Sequence, residues 1–542
     1  MLFDPSDRSY SDNIIITSKT INPINEKLLV GDTIYEEQII YTSKYRKLNS
    51  IPGILVYSGQ SYGRNKHKML YKCIPYDKKL PIFLIPYEQK KNDFNKVKIN
   101  KFILFKFVEW INKHPTGMIT NTLGDVNNNN VYCDYQIYGK GIHFPIQNLT
   151  KSVNKKMLNY KNNSFYSNNS NSEIRHNKEV ITIDPQGSLD YDDALSVCAN
   201  SNETVVSIYI SNVPMVLDKL NLWSELTERA STIYLPNGKK PMLPSILGDN
   251  ICSLLENTNK YVIAMDIYIT NDGLIRTIEY KNCLVSITKN YVYEEDELQN
   301  NVTYNVLKKK AIELNKSRQY INNVVDSHDV VAFYMILMNH EVGKMLASNK
   351  NGIFRDVKYY NKELKENQVP EILRKYVTIY NNVNASYKLY NENNTHELIG
   401  KGIDYYAQTT SPIRRIIDLI NIILLQKYNN ICNVSGEIDE FVATWLLRID
   451  NINNNMKAIR RVEHDCIILK ACIENSKIIN DGYILDYNYD YDNYSIYIPS
   501  IKLTTFVKCG KQLLKYHKYK VSLHIFNDEY TLRKKVRVQI IL

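Results

Sequence analysis

Four aspartates crowd into one short segment: Asp184, Asp190, Asp192 and Asp193 all lie in ITIDPQGSLDYDDALSV, residues 181–197. Carboxylates this close repel one another, and burial raises the cost of each charge unless a cation is present. Hard divalent cations, which take oxygen ligands, are the natural counter-ions. A calcium loop of the EF-hand type is excluded by spacing, because the positions that would need Gly and Glu, counted from Asp184, are Leu189 and Leu195. A solvated Asp-rich turn is the plainer alternative, but the flanking ITI and ALSV are apolar and belong in a core. Mg2+ ions (or Mn2+) shared by such carboxylates suit phosphodiester hydrolysis, one activating water and the other stabilising the leaving oxygen.

A phosphoryl group in transfer gathers negative charge that a cationic side chain can meet. The segment YYAQTTSPIRRIIDLINIILLQ, residues 405–426, offers Arg414 and Arg415. Ser411 is placed to cap a helix there, with Pro412 as its first residue. Both arginines then fall in the first turn, beside the positive end of the helix dipole, where they are unfavourable unless an anion binds. An N-capped core helix with a salt bridge to Asp418 explains the same residues without a ligand. Beside the acidic cluster, Arg414 reads as a phosphate contact.

These residues need a scaffold. Strands are expected at 179–183 and 205–213, and a hairpin over 260–285 that turns at Asn271-Asp272-Gly273. Helices are expected over 303–350, 411–427 and 437–476, and β structure returns over 481–499, 519–526 and 534–542. Ahead of the acidic segment, 51–60 with 68–88, and 114–126 with 129–139, read as short strands of small OB-like barrels. Such barrels bind single strands on aromatic platforms and basic grooves. Residues 159–178, NYKNNSFYSNNSNSEIRHNK, read as a polar, solvated linker. The fold class is therefore multidomain α+β. Barrels fill 1–158, a mixed α/β catalytic domain 179–476 and a last barrel 477–542.

Composition bounds the setting. The 542 residues suit several domains, and 44% hydrophobic content suffices for real cores. A net charge of +11 favours a polyanionic partner, although a coding bias toward Asn, Ile, Lys and Tyr would also supply lysines. No stretch reaches the ~18 apolar residues of a membrane span, and MLFDPSDRSY lacks the pattern of a signal peptide. Nine cysteines occur singly, with no CxxC pair, which fits an intracellular, reducing compartment such as cytoplasm or nucleus.

Three motifs carry a family resemblance: TIDP (182–185) followed by DYDDA (190–194), YLPNGKKPMLPSILGDNICSLL (234–255), and TSPIRR-x-x-D-L (410–419). Together they resemble the RNase II (RNB) family of 3′-to-5′ exoribonucleases, over roughly 51–542 with gaps. The DPQGSLDYDD form and the barrel segment GILVYSG…CIPYDKKLPIFLIP look most like the eukaryotic exosome catalytic-subunit type, without its N-terminal endonuclease domain. The resemblance implies Mg2+ on Asp184, Asp190, Asp192 and Asp193, Arg414 on the scissile phosphate, Tyr234 stacked on a terminal base, and Arg415 and Glu463 near the RNA. It implies a monomeric catalytic unit with cold-shock-like N-terminal barrels, acting on single-stranded RNA to release nucleoside 5′-monophosphates, and partners drawn from an RNA-decay complex. Ile416, Ile422, Ile423, Ala332 and Phe333 stand where the family carries polar residues, and the segment between Arg318 and Val330 is short. A weakened or inactive RNA-binding relative of the same fold is the alternative these departures imply.

Overall fold

A computed structural model describes residues 14–16, 19–35, 38–89, 97–160, 164–166, 172–200, 202–359, 369–370, 373, 377, 383–431, 436–474, 479–528, 532 and 534–541. The chain divides into two compact units. One comprises Met1–His143, Leu235–Gly238 and Ala458–Leu542, and the other Phe144–Tyr234 and Lys239–Lys457.

The first unit holds two larger sheets besides the short strand pairs Ile14–Ile16 with Lys19–Ile21 and Thr33–Tyr35 with Gln38–Tyr41. Strands β1 (Ile51–Leu55), β2 (Ser61–Asn65), β3 (Lys68–Pro75), β4 (Phe83–Tyr87), β5 (Lys101–Glu109) and β6 (Thr116–Asp125) form one sheet in the order β1-β5-β6-β4-β3-β2. β1 also pairs with β3, and β6 meets β4 in parallel, so five strands close on themselves in OB topology. Ile51, Leu55, Cys73, Phe83, Ile85, Ile103 and Phe105 fill the interior. The packing leaves no room at Gly53, where a Cβ would come within 2.7 Å of Cys73 Sγ and 2.9 Å of the Phe105 ring.

Residues 129–139, expected as a strand, are helix α1 (Asn129–Gly139). Asn128 caps it by accepting the N–H groups of Asn130 and Val131. Its aromatic residues suggested β structure, but Tyr132 and Tyr135 lie one helical turn apart, and Tyr135 stacks on Phe102 at 4.2 Å. Residues 51–125 therefore make one barrel rather than the strands of two.

The second unit is built on a seven-stranded sheet. In chain order it contains β7 (Glu173–Arg175), β8 (Ile181–Asp184), β9 (Asp193–Ala199), β10 (Glu203–Ser211), β11 (Asn259–Thr270), β12 (Ile275–Ser286) and β13 (Lys289–Val292). Their spatial order is β7-β12-β11-β10-β9-β8-β13, and β11 and β12 form the expected hairpin around Asn271-Asp272-Gly273. Helices α2 (Val302–Arg318), α3 (Ser327–Ser348), α4 (Ile416–Tyr428) and α5 (Gly436–Leu447) add to the large core. α4 is buried from Ile416 to Gln426, so the isoleucines at 416, 422 and 423 are core residues, as is Phe333 of α3.

The polar stretch 159–178 is partly built into this unit. Phe165 is buried, and its carbonyl accepts hydrogen bonds from Tyr261 Oη and the Lys219 ammonium. Arg175 of β7 makes a bidentate pair with Asp266, Nη1 to Oδ1 at 2.8 Å and Nη2 to Oδ2 at 2.6 Å, and Ser207 Oγ donates to the same carboxylate. Average polarity hid these two anchors. Residues 161–163 and 167–171 of the stretch lie outside the described residues.

A long helix, α6 (Ile449–Glu474), passes from the second unit into the first, where Ile468 and Cys472 join the core of the last β structure. That sheet contains β14 (Asn480–Asn488), β15 (Asn493–Ile498), β16 (Leu503–Val507), β17 (Lys518–Asn527) and β18 (Lys534–Ile541), ordered β16-β15-β14-β17-β18. Its edge strands β16 and β18 come into contact, curling the sheet toward a barrel. Among the described residues no helix is long and apolar enough to cross a membrane.

Candidate active site

The end of β8 and the start of β9 bring the acidic segment to one place. Asp184 closes β8, Asp193 opens β9, and the intervening loop carries Asp190 and Asp192. Ser253 clamps this loop: its hydroxyl donates to the Leu189 carbonyl at 2.8 Å and accepts the Tyr191 N–H at 3.0 Å. The Asp192 carbonyl accepts the Ser211 N–H from β10.

A cavity of about 660 Å³ opens here, lined by Asp184, Asp190, Asp193, Tyr234, Arg414 and Arg415 among others. Five of the six residues named from the acidic and arginine motifs thus share one wall. The sixth, Asp192, lies just behind it, 1% exposed. Its Oδ1 accepts the Ile413 N–H at 2.9 Å and its Oδ2 accepts Arg414 Nε at 3.0 Å. Glu463 is not among the lining residues; it lies on α6 in the other unit.

The arginines are positioned differently from the expected first helical turn. α4 begins at Ile416, and Arg415 is its N-cap with extended backbone (φ −137°, ψ 126°). Ser411 to Arg414 form a turn in which the Ser411 carbonyl accepts the N–H groups of Arg414 and Arg415. Neighbouring backbone overrides the helix start: Ile416 N–H donates to Ala230 O, Thr232 N–H donates to Arg414 O, and Ser231 bridges Arg415 in antiparallel fashion. The two arginines are held by different carboxylates, one of them the expected Asp418. Arg415 Nη2 pairs with Asp418 at 2.7 Å, whereas Arg414 pairs with Asp192 and faces the cavity. The chain reaches this turn across Gly343 of α3, where a Cβ would lie 1.7 Å from the Tyr405 carbonyl oxygen. Asn339, one turn earlier, accepts both the N–H and the hydroxyl of Thr409.

Burial, followed by repulsion from Asp192 for Asp184 and from Asp184 for Asp193, raises both carboxyls above the ordinary range. Burial also raises Asp192 to about 7, against the opposing pull of Arg414. Burial disfavours the Arg414 charge, but Asp192, Asp193 and Asp190 more than offset it and raise its pKa. Carboxyls strained in this way lower their energy when a positive charge comes near.

Asp190 already has such charge. Lys239 Nζ lies 2.9 Å from its Oδ1 and 2.7 Å from Asp249 Oδ1, while Tyr234 Oη donates to Asp190 Oδ2 at 3.1 Å. Tyr234 as a whole is 42% exposed and lines the cavity. Tyr293, another wall residue, stacks on His328 at 3.7 Å. Sequence reasoning did not single out Lys239, Asp249, Ser253, Asn339 or Tyr293. Lys239, Asp249 and Ser253 sit inside the quoted YLPNGKKPMLPSILGDNICSLL stretch, but spacing does not say which of its polar residues turn inward.

With Asp192 and Asp190 engaged in this way, no group of three or more His, Cys, Asp or Glu side chains among the described residues is arranged to hold a metal ion. The donor chemistry nevertheless fits a hard divalent cation. Asp184 Oδ2 is buried without a hydrogen-bond partner, and every candidate ligand is a carboxylate oxygen.

Residues 173–302 match the RNB domain family. Ribonuclease R of Mycoplasmopsis pulmonis is 29% identical over 194 residues, 35% of this chain and 23% of that protein. DIS3-like exonuclease 2 of Schizosaccharomyces pombe is 27% identical over 267 residues, 45% of this chain and 28% of that protein. The aligned region thus spans about a quarter of these relatives. The fold is similar to that of Mycoplasma genitalium RNase R in complex with ribose methylated single-stranded RNA, with a TM-score of 0.70, 15% identity and coverage of 96% of both chains.

Proposed function

We propose that the chain is a divalent-metal-dependent 3′-to-5′ exoribonuclease that hydrolyses single-stranded RNA to nucleoside 5′-monophosphates. The observation that carries this reading is one cavity of an RNB domain whose wall holds Asp184, Asp190 and Asp193 together with Arg414 and the exposed face of Tyr234. Asp184, Asp190 and Asp193, with Asp192 behind them, are the residues to hold Mg2+ or Mn2+. When bound, the metal supplies Lewis-acid stabilisation of the phosphoryl oxygens and a lowered pKa for the attacking water.

The chain's own groups do the rest. Asp192 holds the Arg414 guanidinium through Nε and Ser411 Oγ accepts from Nη2, which fixes a positive charge at the cavity for the phosphate of a bound strand. Arg415, anchored by Asp418, adds a second positive charge to the same wall. The Tyr234 ring offers a stacking face, and its hydroxyl steadies Asp190. The names of the M. pulmonis and S. pombe relatives and the RNA in the M. genitalium complex support RNA as substrate.

Incubation of 5′-labelled single-stranded RNA with the protein and Mg2+ tests the proposal. Progressive shortening with release of monophosphates is expected, absent in Asp193→Asn and absent for DNA of the same sequence. Labelled RNA of unchanged length after incubation with the wild-type protein overturns it. The engagement of Asp190 by Lys239 favours one other reading, an RNA-binding relative without turnover. Tight binding of RNA that stays intact in both Mg2+ and Mn2+ selects that one.

A further inference from the structure

Lys239 is a cation built into a site that needs cations. Its ammonium bridges Asp190 and Asp249, on the cavity wall and only 19% exposed. Both oxygens of Asp190 are therefore occupied, one by Lys239 and the other by Tyr234 Oη. The neighbouring Asp184 Oδ2 is buried with no partner at all. One part of the carboxylate set is thus neutralised internally, while another is left open to an incoming charge.

We propose that Lys239 is the resident counter-ion of Asp190, and that a divalent cation displaces it onto Asp249. Lys239 is in this sense a positioning residue that sets the metal affinity of the site, and Asp249 is its alternative seat. Displacement requires no large movement, because the ammonium already touches both carboxylates. The trade works through like-charge repulsion: an ammonium held against Asp190 opposes a divalent ion sharing that carboxylate, and an ammonium drawn to Asp249 opposes it less. Without Lys239, Asp184, Asp190 and Asp193 would face one another with only the arginines to balance them. The lysine thereby balances part of the charge of the metal-free site and holds Asp190 ready for its next ligand.

The inference rests on the metal-site reading given under Proposed function, and the two are separable by direct binding. The experiment is titration of the RNA-free protein with Mn2+, free Mn2+ being read by electron paramagnetic resonance. Lys239→Gln is expected to bind Mn2+ about tenfold more tightly than wild type, and Asp249→Asn about tenfold more weakly. Lys239→Arg keeps the charge and is expected to stay near wild type. A purely structural role for Lys239 predicts weaker binding in both Lys239→Gln and Asp249→Asn, with a lowered melting temperature in each. That result, or unchanged binding in Lys239→Gln, overturns the inference and leaves the metal site standing. Absence of Mn2+ binding by the wild-type protein overturns both.

Discussion

Asp192 and Arg414 meet at 3.0 Å across 222 residues of sequence, and the same carboxylate takes the Ile413 N–H. One buried side chain therefore fixes both the backbone of the arginine turn and the direction of the guanidinium. Asp192→Asn keeps the shape but loses the charge. It is expected to abolish RNA hydrolysis while melting within a few degrees of wild type. Asp192→Ala leaves the Ile413 N–H buried and unpaired, a loss of about 1–3 kcal/mol, readable by urea unfolding.

Arg414→Lys tests geometry against charge. Lysine cannot hold Asp192 and Ser411 at once as the guanidinium does through Nε and Nη2. Turnover is expected to fall about 100-fold or more, with single-stranded RNA affinity changed far less. Single-turnover assays and filter binding measure the two separately.

Tyr234 combines a ring and a hydroxyl that separate cleanly. Tyr234→Phe keeps the stacking face and removes the bond to Asp190. Tyr234→Ala removes both, and its RNA affinity is expected to drop by about 1–3 kcal/mol, the worth of one stacked base. Equal affinities for the Phe and Ala variants would show that the ring holds no base.

The Arg175–Asp266 pair makes stability depend on pH. Burial acts to raise the Asp266 pKa, but the hydrogen bonds and charge of Arg175 prevail and lower it below the ordinary value. A depressed folded-state pKa means that the stabilisation is present above the unfolded value, near 3.9, and is lost as pH falls through the folded one. Acid unfolding is therefore expected to set in below about pH 4. Asp266→Asn leaves Arg175 buried without its counter-charge and is expected to cost about 3–5 kcal/mol, whereas a paired replacement of both by apolar residues recovers much of it. Thermal melts of these variants between pH 3 and 7 measure the effect.

Gly343 leaves room for the strand that delivers the arginine turn. A methyl group there would collide with the Tyr405 carbonyl oxygen at 1.7 Å, and backbone cannot rotate aside as a side chain can. Gly343→Ala is expected to destabilise the second unit by about 1–3 kcal/mol or more and to lower activity along with stability, because residues 405–411 must shift.

The residues that line the cavity were more legible in the sequence than the joints that hold them. The acidic segment and Arg414 could be paired because charge must be balanced, and the structure sets five of the six motif residues on one wall. The hairpin at Asn271-Asp272-Gly273 was legible because its turn chemistry is local. The start of α4 was misplaced at Ser411 because the bridge from Ala230–Thr232 to Arg414–Ile416 is a long-range backbone contact that leaves no mark in the segment itself. Helix α1 was hidden by β-prone tyrosines, and the anchors Phe165 and Arg175 by the polar residues around them. Which lysine of the Lys239-Lys240 pair meets Asp190 depends on side-chain direction, which spacing does not encode.

That same backbone bridge has a consequence for length. Tyr234 lies three residues beyond the bridged Ser231, and Arg414 immediately precedes the bridged Arg415. The backbone positions of Tyr234 and Arg414 are thus gauged against each other by hydrogen-bonded main chain. A polymer drawn past the two would be measured against a fixed interval at every step, a ruler made of two short pieces of backbone lying side by side.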